Sequence, residues 1–313
     1  MKKKISIVSS AFNEEGNVEV LYQKVKEQMK KLADKYDYEQ IVLDNASADG
    51  TAQKLREIAA KDKNFKVILN ARNFGHIRSP YYGMLQCSGD AIIYMASDLQ
   101  DPPELIPEFI KKWEEGNKIV FGQKNKSEES FAFFMVRKFY YWLLNKANDS
   151  GAELLQNCTG FGLYDKEVVE EFRKIDDPYP YLRGLVSELG YQKTTIPFVQ
   201  PKRKRGITKN NFYTLYDNAM IGFTNHSKVP LRLAALGGFV LSALSLFLAL
   251  VYLILKLLYW DSFPMGTAPI LIAVFFFSSM QLFFIGVIGE YLGAVLTQVL
   301  HRPLVIEKDR INF

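Results

Sequence analysis

The stretch Lys4-Ile5-Ser6-Ile7-Val8-Ser9-Ser10-Ala11-Phe12-Asn13-Glu14-Glu15 decides the fold. A short apolar run rich in β-branched residues, stopped by a polar and acidic cluster, reads as a buried strand ending at a functional loop. The basic start Met1-Lys2-Lys3-Lys4 resembles the n-region of a signal peptide. The apolar run behind it is short, holds three serines and runs directly into Asn13-Glu14-Glu15, so a strand explains it better. The domain is therefore expected to stay in the cytosol. Working outward, apolar residues at Val18, Leu21, Val25 and Met29 predict a helix over 18–32. The pattern then repeats. Strands are expected at 40–43, 65–69, 91–95 and 118–122, and helices at 51–60, around 80–87 and at 104–114. Such alternation predicts an α/β domain with parallel strands and helices on both faces. Ligands on these sheets bind beyond the C-terminal strand ends. Those ends read Ser10-Ala11-Phe12-Asn13-Glu14, Asp44-Asn45-Ala46-Ser47, Ala71-Arg72-Asn73 and Ser97-Asp98-Leu99-Gln100-Asp101.

No G-x-G-x-x-G follows the first strand, and no G-x-x-x-x-G-K-[ST] is present. The common glycine cradles for dinucleotides and triphosphates are thus disfavoured. A diphosphate can instead be held through a divalent metal, which takes one or two carboxylates and completes its shell with phosphates and water. Asp98, Gln100 and Asp101 offer such oxygens. An Asp-rich turn before Pro102-Pro103-Glu104 would equally start a helix, and spacing alone does not separate the two.

The 313 residues are 48% hydrophobic, unevenly spread, and their net charge of +5 singles out no nucleic-acid partner. Leu233–Leu255 and Ala268–Gly289 carry no charged residue, and each is long enough to cross a bilayer. They predict a transmembrane helical hairpin with 256–267 as its connector. Lys and Arg crowd both outer flanks, whereas the connector has Lys256, so the positive-inside rule puts both flanks and the N-terminal domain in the cytosol. Segments 131–144 and 212–223 read as amphipathic, the second as a juxtamembrane helix. The expected organisation is a catalytic domain over 1–210, a juxtamembrane helix over 211–230, two membrane helices over 231–297 and a cytosolic tail over 298–313. Cys87 and Cys158 lack metal-ligand spacing and are expected as free thiols. Gly237-Gly238 and Gly286-x-x-Gly289 suit close helix packing, so a homo-oligomer is expected.

The motifs taken together resemble the family 2 glycosyltransferases of the polyprenyl-phosphate branch, which includes dolichol-phosphate mannose synthase and bactoprenol glucosyltransferases. Ser10-Ala11-Phe12-Asn13-Glu14-Glu15 is similar to P-x-Y-N-E-E, and Asp44 to Thr51 to D-D-G-S-x-D-G-T. Arg72-Asn73-Phe74-Gly75 resembles R-N-x-G, and Asp98 to Glu104 resembles D-L-Q-D-P-P-E. Arg203-x-x-Gly206-x-Thr208-Lys209 resembles R-x-x-G-x-S-K, and Gly289-Glu290-Tyr291-Leu292-Gly293 with Arg302-Pro303 resembles the end of the second span and the tail.

The resemblance implies a GT-A nucleotide-diphospho-sugar transferase fold, an inverting hexosyl transfer to polyprenyl (undecaprenyl) phosphate at the cytosolic membrane face, and Mg2+ or Mn2+. It implies Asp98 and Gln100 as metal ligands, with Asp101 beside them in the catalytic set. It places Ser10, Phe12, Asn13, Glu14, Asp44, Asn45, Ser47, Arg72 and Asp98 around the nucleotide sugar, and Arg203, Arg205, Thr208 and Lys209 around the acceptor phosphate. Likeness to bacterial members favours UDP-glucose or a UDP-N-acetylhexosamine over GDP-mannose. There are departures: Ala96 and Asn45 stand at family aspartates, and Gly160 and Gly162 at the acidic and arginine positions of G-D-F-R-L. The alternatives are a processive polysaccharide synthase, for which no Q-x-x-R-W is present, and a degenerate transferase serving as a membrane scaffold.

Overall fold

The computed structural model describes residues 2–124, 158–201, 229–259 and 267–313. The segments 131–144 and 212–223 lie outside the described residues, as do Arg203, Arg205, Thr208 and Lys209.

The described chain forms two compact units. The first carries an eight-stranded sheet, β1 (Lys3–Ala11), β2 (Tyr36–Asp44), β3 (Phe65–Asn70), β4 (Ala91–Tyr94), β5 (Ile119–Lys124), β6 (Cys158–Asp165), β7 (Lys193–Phe198) and β8 (Glu307–Ile311), in the order β7-β5-β6-β4-β1-β2-β3-β8. Its helices are α1 (Val18–Lys30), α2 (Thr51–Lys61), α3 (Gly75–Leu85), α4 (Ile106–Glu114), α5 (Lys166–Ile175) and α6 (Leu182–Leu189). Helices cover both faces, as expected. Leu21, Val25 and Met29 of α1 and Phe109, Ile110 and Trp113 of α4 pack on Ile5, Ile7 and Ile93. Tyr81 and Met84 of α3, with Val168, Val169 and Phe172 of α5, pack on Val8, Ile41 and Leu43 across the sheet.

The five strands expected from the sequence, β1 to β5, all run in one direction, but the sheet as a whole is mixed, because it also takes in strands the sequence reading did not name. β4-β1-β2-β3 are parallel, but β6 runs antiparallel to β4 and β5, and β8 antiparallel to β3. Hydrophobic period reveals a strand but not its neighbour or direction, because both faces are covered and each strand reads simply as apolar. One correction concerns α3, expected near residues 80–87. It starts at Gly75 and carries Pro80 in its interior. Proline usually opens a helix; here side chains open it five residues earlier, since Gly75 N donates to Asn73 Oδ1 (2.7 Å) and Phe74 N to Asn45 Oδ1 (3.3 Å).

The stretch 298–313, expected as a tail, supplies β8. Ala71 N donates to Ile306 O (2.9 Å), Tyr82 Oη to Glu307 Oε1 (2.9 Å), and Asn312 Nδ2 to Ala59 O (2.7 Å) and Phe65 O (2.8 Å). β3 would otherwise present an open sheet edge beside its apolar core residues. At the opposite strand ends, Glu39 of β2 is 1% exposed and accepts from Lys4 Nζ (2.7 Å), Lys66 Nζ (2.7 Å) and Ser6 Oγ (2.6 Å).

The second unit contains α7 (Val229–Leu258) and α8 (Thr267–Val299). At 30 and 33 residues they extend about 45 and 50 Å, more than a hydrocarbon core of about 30 Å. Phe239 is 74% and Leu282 69% exposed, so these helices turn large apolar groups outward instead of burying them.

Candidate active site

Four adjacent parallel strands, β4, β1, β2 and β3, end on one rim, and the expected donor-side residues gather there. Side chains stitch the strand ends together. Ser97 Oγ donates to Ser10 O (2.7 Å), joining β4 to β1. Asn13 N donates to Ser47 Oγ (2.9 Å), Ala48 N to Asn13 Oδ1 (2.9 Å), and Glu14 N to Thr51 Oγ1 (2.9 Å), joining β1 to the loop after β2. Ser47 in turn donates through Oγ and N to the Asp44 carboxylate. Glu14 is buried and takes the Asn17 amide at 2.6 Å. Burial raises the Asp44 carboxyl pKa, the Ser47 bonds oppose it, and the charge of Asp49 adds to the rise.

Three non-glycine residues on this rim have left-handed backbone: Asn13 (φ 58°), Ala46 (φ 58°) and Leu99 (φ 61°). Each such conformation costs on the order of 1 kcal/mol and clusters where geometry serves function. Leu99 is held by its side chain, which packs against the core beneath. The turn it makes separates Asp98 from Gln100, whose N–H donates to Asp98 Oδ1 (3.1 Å). Asp101 points inward: it is 5% exposed and accepts from Ala96 N at 2.9 Å. Burial pushes its carboxyl pKa up to about 6; the Ala96 bond opposes this, the Asp98 charge adds to it and Lys124 lowers it. Lys124 closes β5, which runs two residues beyond its expected end, so the sequence reading missed this cation.

The donor set is chemically suited to a hard divalent cation. Asp98 offers a carboxylate and Gln100, two residues on in the same turn, an amide oxygen. No group of three or more His, Cys, Asp or Glu side chains forms an all-protein cage among the described residues. A small cation that keeps phosphate and water ligands needs no such cage.

Position 162 explains one departure from the resembled pattern. Gly162 in β6 pairs with both Tyr94 and Phe121, and a Cβ there would lie 2.3 Å from Val120 O. No side chain fits, so the arginine position of the resembled motif is closed by strand pairing. Gly162→Ala is expected to cost about 2–3 kcal/mol through overpacking against a backbone that cannot turn aside. An unchanged thermal midpoint of the detergent-solubilised protein would contradict the β5–β6–β4 register.

Asn45 and Asn70 form a buried pair at the ends of β2 and β3, with Asn70 Nδ2 donating to Asn45 Oδ1 (2.7 Å) and to Ser79 Oγ (3.2 Å). Asn70 was not singled out in the sequence; the only signal was a polar residue closing the apolar run Phe65 to Leu69. Arg72 lies exposed on the following loop, stacked over Phe74 at 4.1 Å.

The mixed sheet with ligand-bearing loops at its parallel strand ends has the architecture of the GT-A fold. Residues 6–173 match the sequence profile of Glycosyl transferase family 2. The chain is 34% identical over 302 residues to the glycosyltransferase YkcC of Bacillus subtilis, covering 96% of this chain and 92% of that protein. It is 31% identical over 307 residues to the bactoprenol glucosyl transferase of Shigella phage SfV, covering 98% of each. The mannosyltransferase PcManGT from Pyrobaculum calidifontis, solved with GDP-Man and Mn2+, shares the fold at a TM-score of 0.50 and 15% identity, over 93% of this chain and 88% of that one. This chain belongs to glycosyl transferase family 2.

Proposed function

We propose that the chain transfers one hexose, with inversion, from a nucleotide diphosphate sugar to polyprenyl phosphate at the cytosolic face of the cell membrane. The observation that carries this is that the strand ends bearing Asp44 and the turn Asp98 to Asp101 lie on one rim, in a chain whose two long apolar helices lie in sequence between strands β7 and β8 of one sheet. A relative named bactoprenol glucosyl transferase, similar along nearly the whole chain, supports the acceptor class and favours UDP-glucose, with a UDP-N-acetylhexosamine next.

On this reading the chain that leaves after β7 returns as β8 on the side it left, because a sheet cannot straddle a bilayer. The basic residues flanking the two uncharged runs, Lys228 and Arg232 before the first and Arg302, Lys308 and Arg310 after the second, support the cytosol as that side. Gly237 lies against Phe284, whereas Gly238, Gly286 and Gly289 have open space beside them, which supports helices of further copies packing there in a homo-oligomer.

The acceptor phosphate is already anionic, so its oxygen attacks the anomeric carbon without a strong base. Glycine at 160 is therefore compatible with turnover. Asp98 and Gln100 would hold Mg2+ or Mn2+, which supplies Lewis-acid stabilisation of the departing diphosphate. Asp44 and the Asn13–Ser47 bridge shape the floor under the nucleoside, with Ser10, Phe12 and Glu14 beside them and Arg72 available to phosphate oxygens. Arg203, Arg205, Thr208 and Lys209 bind the acceptor phosphate and offset repulsion between two anions, for which guanidinium geometry is well suited.

The test is transfer from a panel of radiolabelled UDP- and GDP-sugars to polyprenyl phosphate by the full chain in lipid nanodiscs with Mg2+ or Mn2+. One sugar per lipid is expected. Polymer formation, or no transfer from any donor, would overturn the proposal.

A further inference from the structure

Asn45 sits at the end of β2 on the donor rim, yet it is 4% exposed and both polar atoms of its amide are hydrogen-bonded inside the protein. Oδ1 accepts from Asn70 Nδ2 (2.7 Å) and Phe74 N (3.3 Å), while Nδ2 donates to Gly75 O (3.2 Å). Two of these three bonds go to Phe74 and Gly75, the residues where the loop after β3 turns into α3. Gly75 has φ +86°, a backbone that few other residues adopt without strain. The same loop carries Arg72 and Asn73 on its exposed side.

We infer that Asn45 is a positioning residue for donor binding: its amide latches the 72–75 loop from beneath, so that the nucleotide diphosphate meets the loop in its binding shape. This rests on the proposed donor reading but assigns Asn45 no contact with the nucleotide. The physical requirement is specific. In this chain, where asparagine replaces the aspartate of the resembled motif, position 45 makes two acceptances and one donation, which an amide supplies and an ionised carboxylate does not. An aspartate would accept from Asn70 and Phe74 equally well but would set a charged oxygen against the Gly75 carbonyl. Protonation of that aspartate would restore a donor.

The experiment measures UDP and GDP binding by calorimetry, with MnCl2, on the full chain in detergent. For Asn45→Asp, affinity is expected to fall about tenfold near pH 8 and to recover most of the loss near pH 5, because a lost or opposed buried hydrogen bond is worth about that factor. The unaltered protein, measured alongside, corrects for any pH dependence common to both. Ser79→Ala trims the Asn70 bond behind Asn45 while leaving all three Asn45 bonds. It is expected to lower the thermal midpoint without changing nucleotide affinity. Should Asn45→Asp fail to fold, Asn45→Ser, which is small and uncharged, is expected to bind weakly at both pH values with the kcat of the saturated enzyme largely retained. Nucleotide affinity equal to that of the unaltered protein in a folded Asn45 variant, or a loss in Asn45→Asp that ignores pH, overturns the inference alone. Failure of the unaltered protein to bind either nucleotide overturns the donor reading and the inference with it.

Discussion

Asp98→Ala is expected to lower sugar transfer about 10³-fold while the protein stays folded and inserted in its membrane, a cost of about 4 kcal/mol at the transition state. Asp98 is partly buried at the rim and is not part of the core beneath, so its removal leaves no cavity under the sheet. The residue instead supplies negative charge where a cation and a departing diphosphate are proposed to meet. Asp98→Asn, which keeps shape but not charge, should lose nearly as much. The two variants differ from a folding defect in their thermal midpoint, expected within a few degrees of the unaltered protein. Asp98→Ala with ordinary turnover would remove the metal and leaving-group assignment.

Glu39→Gln is expected to be the most damaging change away from the rim. Burial alone would raise the Glu39 carboxyl pKa, but hydrogen bonds from Lys4, Lys66, Ser6 and the Ser88 backbone outweigh it and bring it from 4.5 to about 2. The sign follows from a folded value below the unfolded one. The carboxylate stabilises the protein fully above about pH 4.5, and that contribution is lost as pH falls through about 2. Its size is about 3 kcal/mol. Glutamine keeps the volume but leaves two partly buried ammonium groups without their counter-charge, which costs about 3–5 kcal/mol in buried pairs. Urea unfolding of the full chain in detergent near neutral pH should show the loss, and the difference between variant and unaltered protein should shrink below about pH 4. A difference that persists unchanged to about pH 2 would show that Glu39 does not act through its charge.

How much was legible depended on what each residue answers to. Asp98, Gln100 and Asp101 stood out because an apolar strand ended in them, and chain direction in a parallel sheet carries such an ending to the rim. Asn45 stood out by position, but its task did not, because its partners come from residues 70, 74 and 75 and only folding brings them close. Lys124 and β8 were missed for a similar reason. A strand with four charged residues in a row, Glu307 to Arg310, resembles a solvated tail until an open sheet edge is found for it. The buried charge at Glu39 gave no signal at all, since a glutamate between Tyr38 and Gln40 looks like any surface residue until Lys4 and Lys66 arrive from neighbouring strands.

The sequence by itself determined the α/β alternation, the two apolar helices and the loops that carry chemistry, because each of these rests on periodicity, composition or local turn preference within one segment. Only the tertiary structure decided that β6 and β8 run antiparallel, that Gly162 admits no side chain, and that Asn45 and Glu39 spend their polar groups on distant partners. Strand direction, steric room and the cost of a buried charge are all set by neighbours remote along the chain, and no local pattern encodes them.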